Sequence, residues 1–159
     1  MASRFTLTPG SAEFPATNFP QLTLINRRPI LSYNGTTNQA AQWTVVLPAG
    51  WTGTITAYIF IIMASDTSGD TDWDVSVEAI TTADTTDLDA GDSFDTVNST
   101  DNTTVPSVAG YLQRIAVTLA NHDSSAAGDC ARIRVTRDAA SDAANGLAYL
   151  LAVEIQDGA

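Results

Sequence analysis

Residues 54–63 read TITAYIFIIM and residues 72–80 read DWDVSVEAI. In both, side-chain character repeats every second residue, the period of a strand and not of a helix. In the second stretch Trp73, Val75, Val77 and Ala79 alternate with Asp74, Ser76 and Glu78, giving one apolar and one wet face. The first is apolar on both faces, with Ile55, Ala57, Ile59, Ile61 and Met63 on one side and Tyr58, Phe60 and Ile62 on the other. A strand of that kind is covered on both sides, by its own domain or by another chain.

The same period runs outward from this pair. Arg28 to Tyr33 reads as a short strand ending at an Asn34-Gly35 turn, and Gln42 to Leu47 puts Trp43, Val45 and Leu47 on one face. The tight loop PAGWTG (48–53) precedes the central strand. Farther on, Tyr111 to Ala120 carries Ile115, Val117 and Leu119 on one side. Cys130 to Arg137 alternates Ala131, Ile133 and Val135 with Arg132, Arg134 and Thr136. Leu147 to Ile155 closes the chain, with Leu147, Tyr149, Leu151, Val153 and Ile155 assigned to one face. Residues 81–110, rich in Thr, Asp, Ser and Asn, read as a long surface loop with one short strand near Phe94 to Val97. No amphipathic helix emerges. The expected fold is all-β, an antiparallel β-sandwich or jelly roll of about eight strands over residues 27–159.

Residues 1–26 read differently. Pro9, Pro15 and Pro20 recur too often for a helix or central strand, yet Phe5, Leu7, Phe14, Phe19, Leu22 and Leu24 give apolar anchors that a disordered tail lacks. The expectation is an extended N-terminal arm packed on its own domain or on a neighbouring chain.

Composition narrows the chemistry. The 159 residues carry 18 acids against seven bases, a net charge of −11, and every base is arginine. Charge is uneven: residues 1–63 carry net +2, residues 64–129 net −12 and residues 130–159 net −1. Nucleic acids and anionic membranes call for clustered positive charge, so neither is expected as a partner. The longest apolar run, Ala57 to Ala64, is far short of the ~20 residues of a membrane span. The opening MASRFTLTPG lacks the layout of a signal peptide, so the Asn-x-Thr sites at Asn34, Asn98 and Asn102 read as turn residues. Cys130 is the only cysteine and His122 the only histidine, which removes disulfides, cysteine zinc sites and most triad chemistry.

The remaining candidates have modest readings. Asp66, Asp70, Asp72 and Asp74, and then Asp84, Asp87, Asp89, Asp92 and Asp95, suggest calcium, but DLDAGD (87–92) puts glycine at the third ligand position of a calcium loop. Asp74 and Glu78 share a strand face, which suggests a glycosidase pair, but beside outward Ser76 they read as cross-strand partners of Arg132 and Arg134. Trp43 and Trp73 fall in the inward register. Trp51, in a loop, is the tryptophan left for a ligand or partner. No enzyme, metal or cofactor is expected.

A resemblance adds to this. LPAGWTGTITAYIF (47–60), SGDTDWDVSVEAI (68–80) and GDCARIRVTRDAASDAANGLAYLLAVEI (128–155) resemble small all-β structural proteins of tailed bacteriophages. In that family a P-x-G-W turn, here Pro48, Gly50 and Trp51, leads into a hydrophobic strand. A G-D-x-x-R-x-R-V-x-R-D strand, here Gly128, Asp129, Arg132, Arg134, Val135, Arg137 and Asp138, runs by a polar loop to Val153, Glu154 and Ile155. The resemblance implies a jelly-roll virion protein. It would be a capsid decoration (cement) protein that binds the outer surface of the phage head as a homotrimer and bridges neighbouring capsid subunits. Its place would be the virion capsid surface, after assembly in the host cytoplasm. The partners would be the major capsid protein and further copies of itself, contacted through Arg4, Phe5, Leu7, Phe14, Phe19, Arg27, Arg28 and Trp51. The competing expectation is a jelly-roll head module of a fibre or spike binding host-surface glycan, marked by an exposed aromatic such as Trp51 or Tyr111 beside loop Asp or Asn residues.

Overall fold

A computed structural model describes residues 3–158. Ten strands form two antiparallel sheets stacked as a jelly roll: β1 (Ser3–Leu7), β2 (Gln21–Ile25), β3 (Arg28–Tyr33), β4 (Gln39–Val46), β5 (Ile55–Met63), β6 (Asp70–Ile80), β7 (Asn98–Thr104), β8 (Gln113–Leu119), β9 (Cys130–Arg137) and β10 (Ala148–Asp157). One sheet has six strands in the order β2-β3-β10-β5-β8, with β1 also paired to β10; the other runs β4-β9-β6-β7. The all-β jelly roll expected from the alternation is the fold observed.

Between the sheets lie the inward residues of β5, Ile55, Ala57, Ile59, Ile61 and Met63, against Trp43, Trp73, Val75, Ile133 and Val135 of the four-stranded sheet. Burying such side chains is worth about 1.5–3 kcal/mol each, which is what drives the two sheets together. Tyr33 on β3 crosses the layer: its hydroxyl donates to the Val135 carbonyl on β9 at 3.1 Å, satisfying a phenol that burial pushes well above its ordinary pKa. At the turn after β3 only glycine fits, because a Cβ on Gly35 would stand 2.0 Å from the Asn145 carbonyl oxygen.

Three readings of the alternation are corrected by the ladders. A bulge between Leu150 and Ala152 breaks the period of β10, so Ala148, Leu150, Val153 and Ile155 point inward while Tyr149 and Leu151 do not. The strand expected at Phe94 to Val97 lies instead at Asn98–Thr104, an edge strand whose polar sequence NSTDNTT shows no apolar alternation. Glu78 is buried, not wet.

The N-terminal segment lies on its own body. β1 pairs with β10 from Ser3↔Asp157 to Leu7↔Val153. A 3-10 turn at Pro9–Ser11 then redirects the chain along the edge of β4, where Glu13 bridges Gln42 and the Asn18 carbonyl accepts from the Ala40 N–H. β2 returns to the six-stranded sheet as a hairpin with β3. Residues 1 and 2 of the expected arm fall outside the described residues.

Candidate functional site

The outer face of the six-stranded sheet is where half-buried aromatic side chains gather. Tyr58, Phe60 and Ile62 alternate outward along β5, one of its central strands. Register places Glu154 of β10 and Ala116 of β8 across from Tyr58, Ala152 and Arg114 across from Phe60, and Tyr149 across from Ile62. Residues two apart on a strand share a face at about 3.3 Å rise per residue, so Tyr58 and Phe60 sit roughly 7 Å apart along β5. The Arg114 guanidinium carbon lies 3.5 Å from the Tyr58 ring centroid, a cation–π contact. Arg114 makes no ion pair among the described residues, so its fork of N–H donors is held in place by a ring and not spent on a carboxylate. Beyond Tyr149, across from Ser32, the face continues into a polar notch of about 180 Å³ lined by Gln21, Ser32, Asn34, Gln39 and Leu147. Flat rings, a free guanidinium and neutral amides on a rigid sheet suit a ligand with alternating C–H faces and hydroxyl rims.

The opposite sheet is built for internal pairing. Arg132 binds Glu78 through its Nε, and Asp92 bridges Arg132 at 2.7 Å and Arg134 at 2.8 Å. Both guanidiniums lie over the Phe94 ring, at 5.1 and 3.9 Å. Glu78 also accepts from the Ser93 N–H at 2.6 Å, and the Asp95 N–H donates to the Val77 carbonyl. These contacts strap residues 92–95 onto β6 and β9. The same face carries a groove of about 220 Å³ lined by Glu13, Thr44, Glu78, Ile80, Leu88, Cys130 and Arg132. Hydrogen bonds from Arg134 and Arg132 hold the Asp92 carboxyl below the ordinary range. Burial pushes Glu78 up, but bonds from Arg132 and Ser93 outweigh it and leave it lowered too. Carboxylates with depressed pKa contribute stability above their unfolded value of about 4 and lose it as pH falls through the folded value. Protection of the Ser93 and Asp95 amides, measured by hydrogen exchange and corrected for intrinsic rate, should therefore collapse below about pH 4 while the β5 and β10 amides stay protected. Asp92→Asn should bring that loss to neutral pH; unchanged protection in the variant would mean the strap is held by something else.

The residues assigned to partner contact from sequence separate into two groups. Leu7 is buried in the core, Phe5 packs against Trp51 with ring centroids 6.0 Å apart, and Arg4 lies exposed on the outer face across from Gln156. Trp51 is only 8% exposed, and its indole N–H donates to Ser125 Oγ at 3.0 Å, so it is a core residue and no platform. Phe14 and Phe19 stack on each other at 5.5 Å and stay exposed, as do Arg27 and Arg28 at the β2–β3 turn. Tyr111 is exposed beside Leu112, just before β8. What sequence reading missed is the outward ring of Tyr149, hidden by the β10 bulge, and the grouping of Tyr58, Phe60 and Arg114.

Enzymatic arrangements gain no support from the geometry. His122 Nδ1 and Ser125 Oγ lie 3.0 Å apart, but Ser125 is buried beneath the Trp51 indole and its own N–H donates to the same imidazole nitrogen. Glu78 is neutralised by Arg132, and Asp74 accepts from the Ser99 hydroxyl at 2.5 Å. Among the described residues no three His, Cys, Asp or Glu side chains are grouped to hold a metal ion.

No protein-family model and no curated protein sequence matches the chain. Solved structures do. The family 35 carbohydrate-binding module of Abf62 from Cellvibrio japonicus is 12% identical over 99% of this chain and 95% of its own, with a TM-score of 0.53. The C-terminal family 6 module of a marine laminarinase from Zobellia galactanivorans is 10% identical over 98% and 100%, with a TM-score of 0.52. A family 35 module from Clostridium thermocellum is 12% identical over 98% and 99%, with a TM-score of 0.51. These likenesses correct the resemblance to phage structural proteins: the three structures are carbohydrate-binding modules and none is a capsid protein. The decoration role, the major capsid protein and the homotrimer fall with it. The N-terminal segment expected to hold the partner spends Leu7 on the core and pairs its first strand with β10 of its own body. The similarity in shape is that of the jelly roll of carbohydrate-binding modules.

Proposed function

We propose that this chain is a glycan-binding module that holds a sugar chain on the outer face of its six-stranded sheet and performs no chemistry on it. The observation that carries the reading is the row of outward rings, Tyr58, Phe60 and Tyr149, on adjacent strands of one rigid sheet, with Arg114, which makes no ion pair among the described residues, beside them. At protein–protein interfaces a few well-packed side chains, Tyr and Arg prominent among them, carry most of the binding energy, and the same residue types are grouped on this face. The jelly roll shared with carbohydrate-binding modules supports the reading by analogy of fold and assigns no sugar.

Affinity electrophoresis through gels containing mannan, xylan, laminarin or polygalacturonate tests the proposal. The wild-type chain should be retarded by at least one of them. Phe60→Ala and Tyr149→Ala should each weaken that binding tenfold or more, about 1.4 kcal/mol, while the far-ultraviolet dichroism stays that of wild type. Mobility unchanged by all four polymers, or face variants retarded as strongly as wild type, would remove the reading.

A further inference from the structure

The edges of the two sheets are not equally guarded. β4 is covered by Glu13 and Asn18, and β7 is a polar strand bearing Asp101. β8 carries Arg114 and lies against β7. β2 is the exception: QLTLI has no charge and no proline, and every residue but Ile25 is exposed. Uncharged apolar edge strands are templates for pairing, which proteins normally blunt.

The hairpin geometry says which groups are open. β2 and β3 are joined by Asn26 and Arg27, both at positive φ (43° and 67°), a two-residue primed turn closed by Ile25 opposite Arg28. Hydrogen-bonded pairs then alternate as Ile25–Arg28, Thr23–Ile30 and Gln21–Ser32. Leu22 and Leu24 occupy the other pairs, so their N–H and C=O groups point out of the sheet. Pro29, opposite Leu24, fits because its missing donor is not needed there. The Leu22 and Leu24 side chains are 50% and 67% exposed, and Phe14 and Phe19, exposed as well, precede them in the same segment.

Charge decides the occupant. No acidic residue occurs between Glu13 and Asp66, and the hairpin tip carries Arg27 and Arg28, neither ion-paired among the described residues. We infer that the open edge of β2 is a docking strand for an extended acidic segment of a partner protein. That segment adds as a further strand on Leu22 and Leu24, with apolar side chains at alternate positions and carboxylates at the Arg27–Arg28 tip. Main-chain bonds supply the affinity of such strand addition and the side chains its selectivity. The edge meets the glycan face only at Gln21, which lines the notch, while Leu22, Leu24, Arg27 and Arg28 lie outside it, so either can fail without the other.

The test uses a fluorescein-labelled decapeptide of alternating valine and threonine ending in two aspartates, and its counterpart ending in two lysines. The acidic peptide should bind the full chain at least tenfold more tightly by fluorescence anisotropy, and should protect the Leu22 and Leu24 amides from exchange. Leu24→Pro removes a donor that the native sheet does not use. It should abolish binding while leaving retardation by polysaccharide as in wild type. If that variant is unfolded, Leu22→Lys/Leu24→Lys blocks the edge with charge and should do the same. Arg27→Ala/Arg28→Ala should bring the two peptides to equal affinity. Absence of saturable binding by the acidic peptide, or binding indifferent to the edge variants, overturns the inference. So does a wild-type dimer in sedimentation that Leu24→Pro turns into a monomer, since the edge would then belong to a second copy.

Discussion

Arg137→Met is expected to cost about 3–5 kcal/mol of folding stability in a urea titration at pH 7, with a fall in Tm of roughly 10 °C or more. Arg137 is fully buried at the end of β9 and works as a clasp on the loop between β9 and β10. Its Nε pairs with Asp142 at 2.5 Å, while its two terminal nitrogens donate to the Gly146 and Ala144 carbonyls at 2.7 and 2.5 Å. Asp142 in turn accepts from the Asp72 N–H at 2.5 Å, fixing the loop to the start of β6. Methionine replaces the aliphatic stem but leaves the Gly146 and Ala144 carbonyls without donors and the Asp142 carboxylate with the Asp72 N–H and no counter-charge, each a desolvation cost with little against it.

A pH signature separates this cause from lost packing. Burial pushes the Asp142 carboxyl above its ordinary range even in the native chain, with the Asp72 N–H and Arg137 opposing. Without the guanidinium, burial acts less opposed and the folded-state pKa rises further above the unfolded one. The folded variant then takes up a proton that the unfolded chain does not, so its stability improves as pH falls from 7 toward 5 relative to wild type. Arg137→Met/Asp142→Leu should recover most of the loss at pH 7. A deficit under 1 kcal/mol at pH 7, or one that does not shrink on acidification, would show that the pair is not what holds the loop.

How far the sequence discloses this molecule depends on how regular each strand is. β5, β6 and β9 are regular, and their alternation places Ile59, Trp73 and Ile133 in the core and pairs Glu78 with Arg132. β10 is not, because one extra residue at the bulge reverses every face assignment before it. Tyr149 therefore reads as core and stands outside. β7 escapes notice for the opposite reason: an edge strand with mostly exposed residues has no apolar period to detect. The N-terminal segment shows its apolar anchors plainly, but Leu7 and Phe5 find their partners on β10, at the far end of the chain, and on Trp51, and no local pattern discloses that. The candidate face is hidden in the same way. Tyr58 and Phe60 are visible as a second apolar face of β5, while Arg114 and Tyr149 join them only through register.

The tryptophan most fully enclosed by that register is Trp73, and Trp73→Ala should cost about 3–5 kcal/mol, of the same order as the loss of the Arg137 clasp. The indole is completely buried on β6, meets the Tyr33 ring edge-on at 5.2 Å and 72°, and donates its N–H to Thr71 Oγ1 at 3.1 Å. Alanine removes the largest wedge between the sheets at the point where Tyr33 reaches across to Val135, and the sheets cannot close over it without breaking that bond. Trp73→Phe keeps a ring against Tyr33 and should lose distinctly less, the difference reporting the unfilled volume and the unpaired Thr71 hydroxyl. Urea unfolding followed by circular dichroism measures both variants. Because Trp73 faces the interlayer and Phe60 faces outward, the two truncations should dissociate. Trp73→Ala lowers stability and leaves the affinity of the folded fraction for polysaccharide unchanged, whereas Phe60→Ala lowers affinity with far less effect on the urea midpoint. If instead both variants lose binding in proportion to stability, the rings on the outer face have no role beyond packing, and sugar recognition must lie elsewhere on the fold.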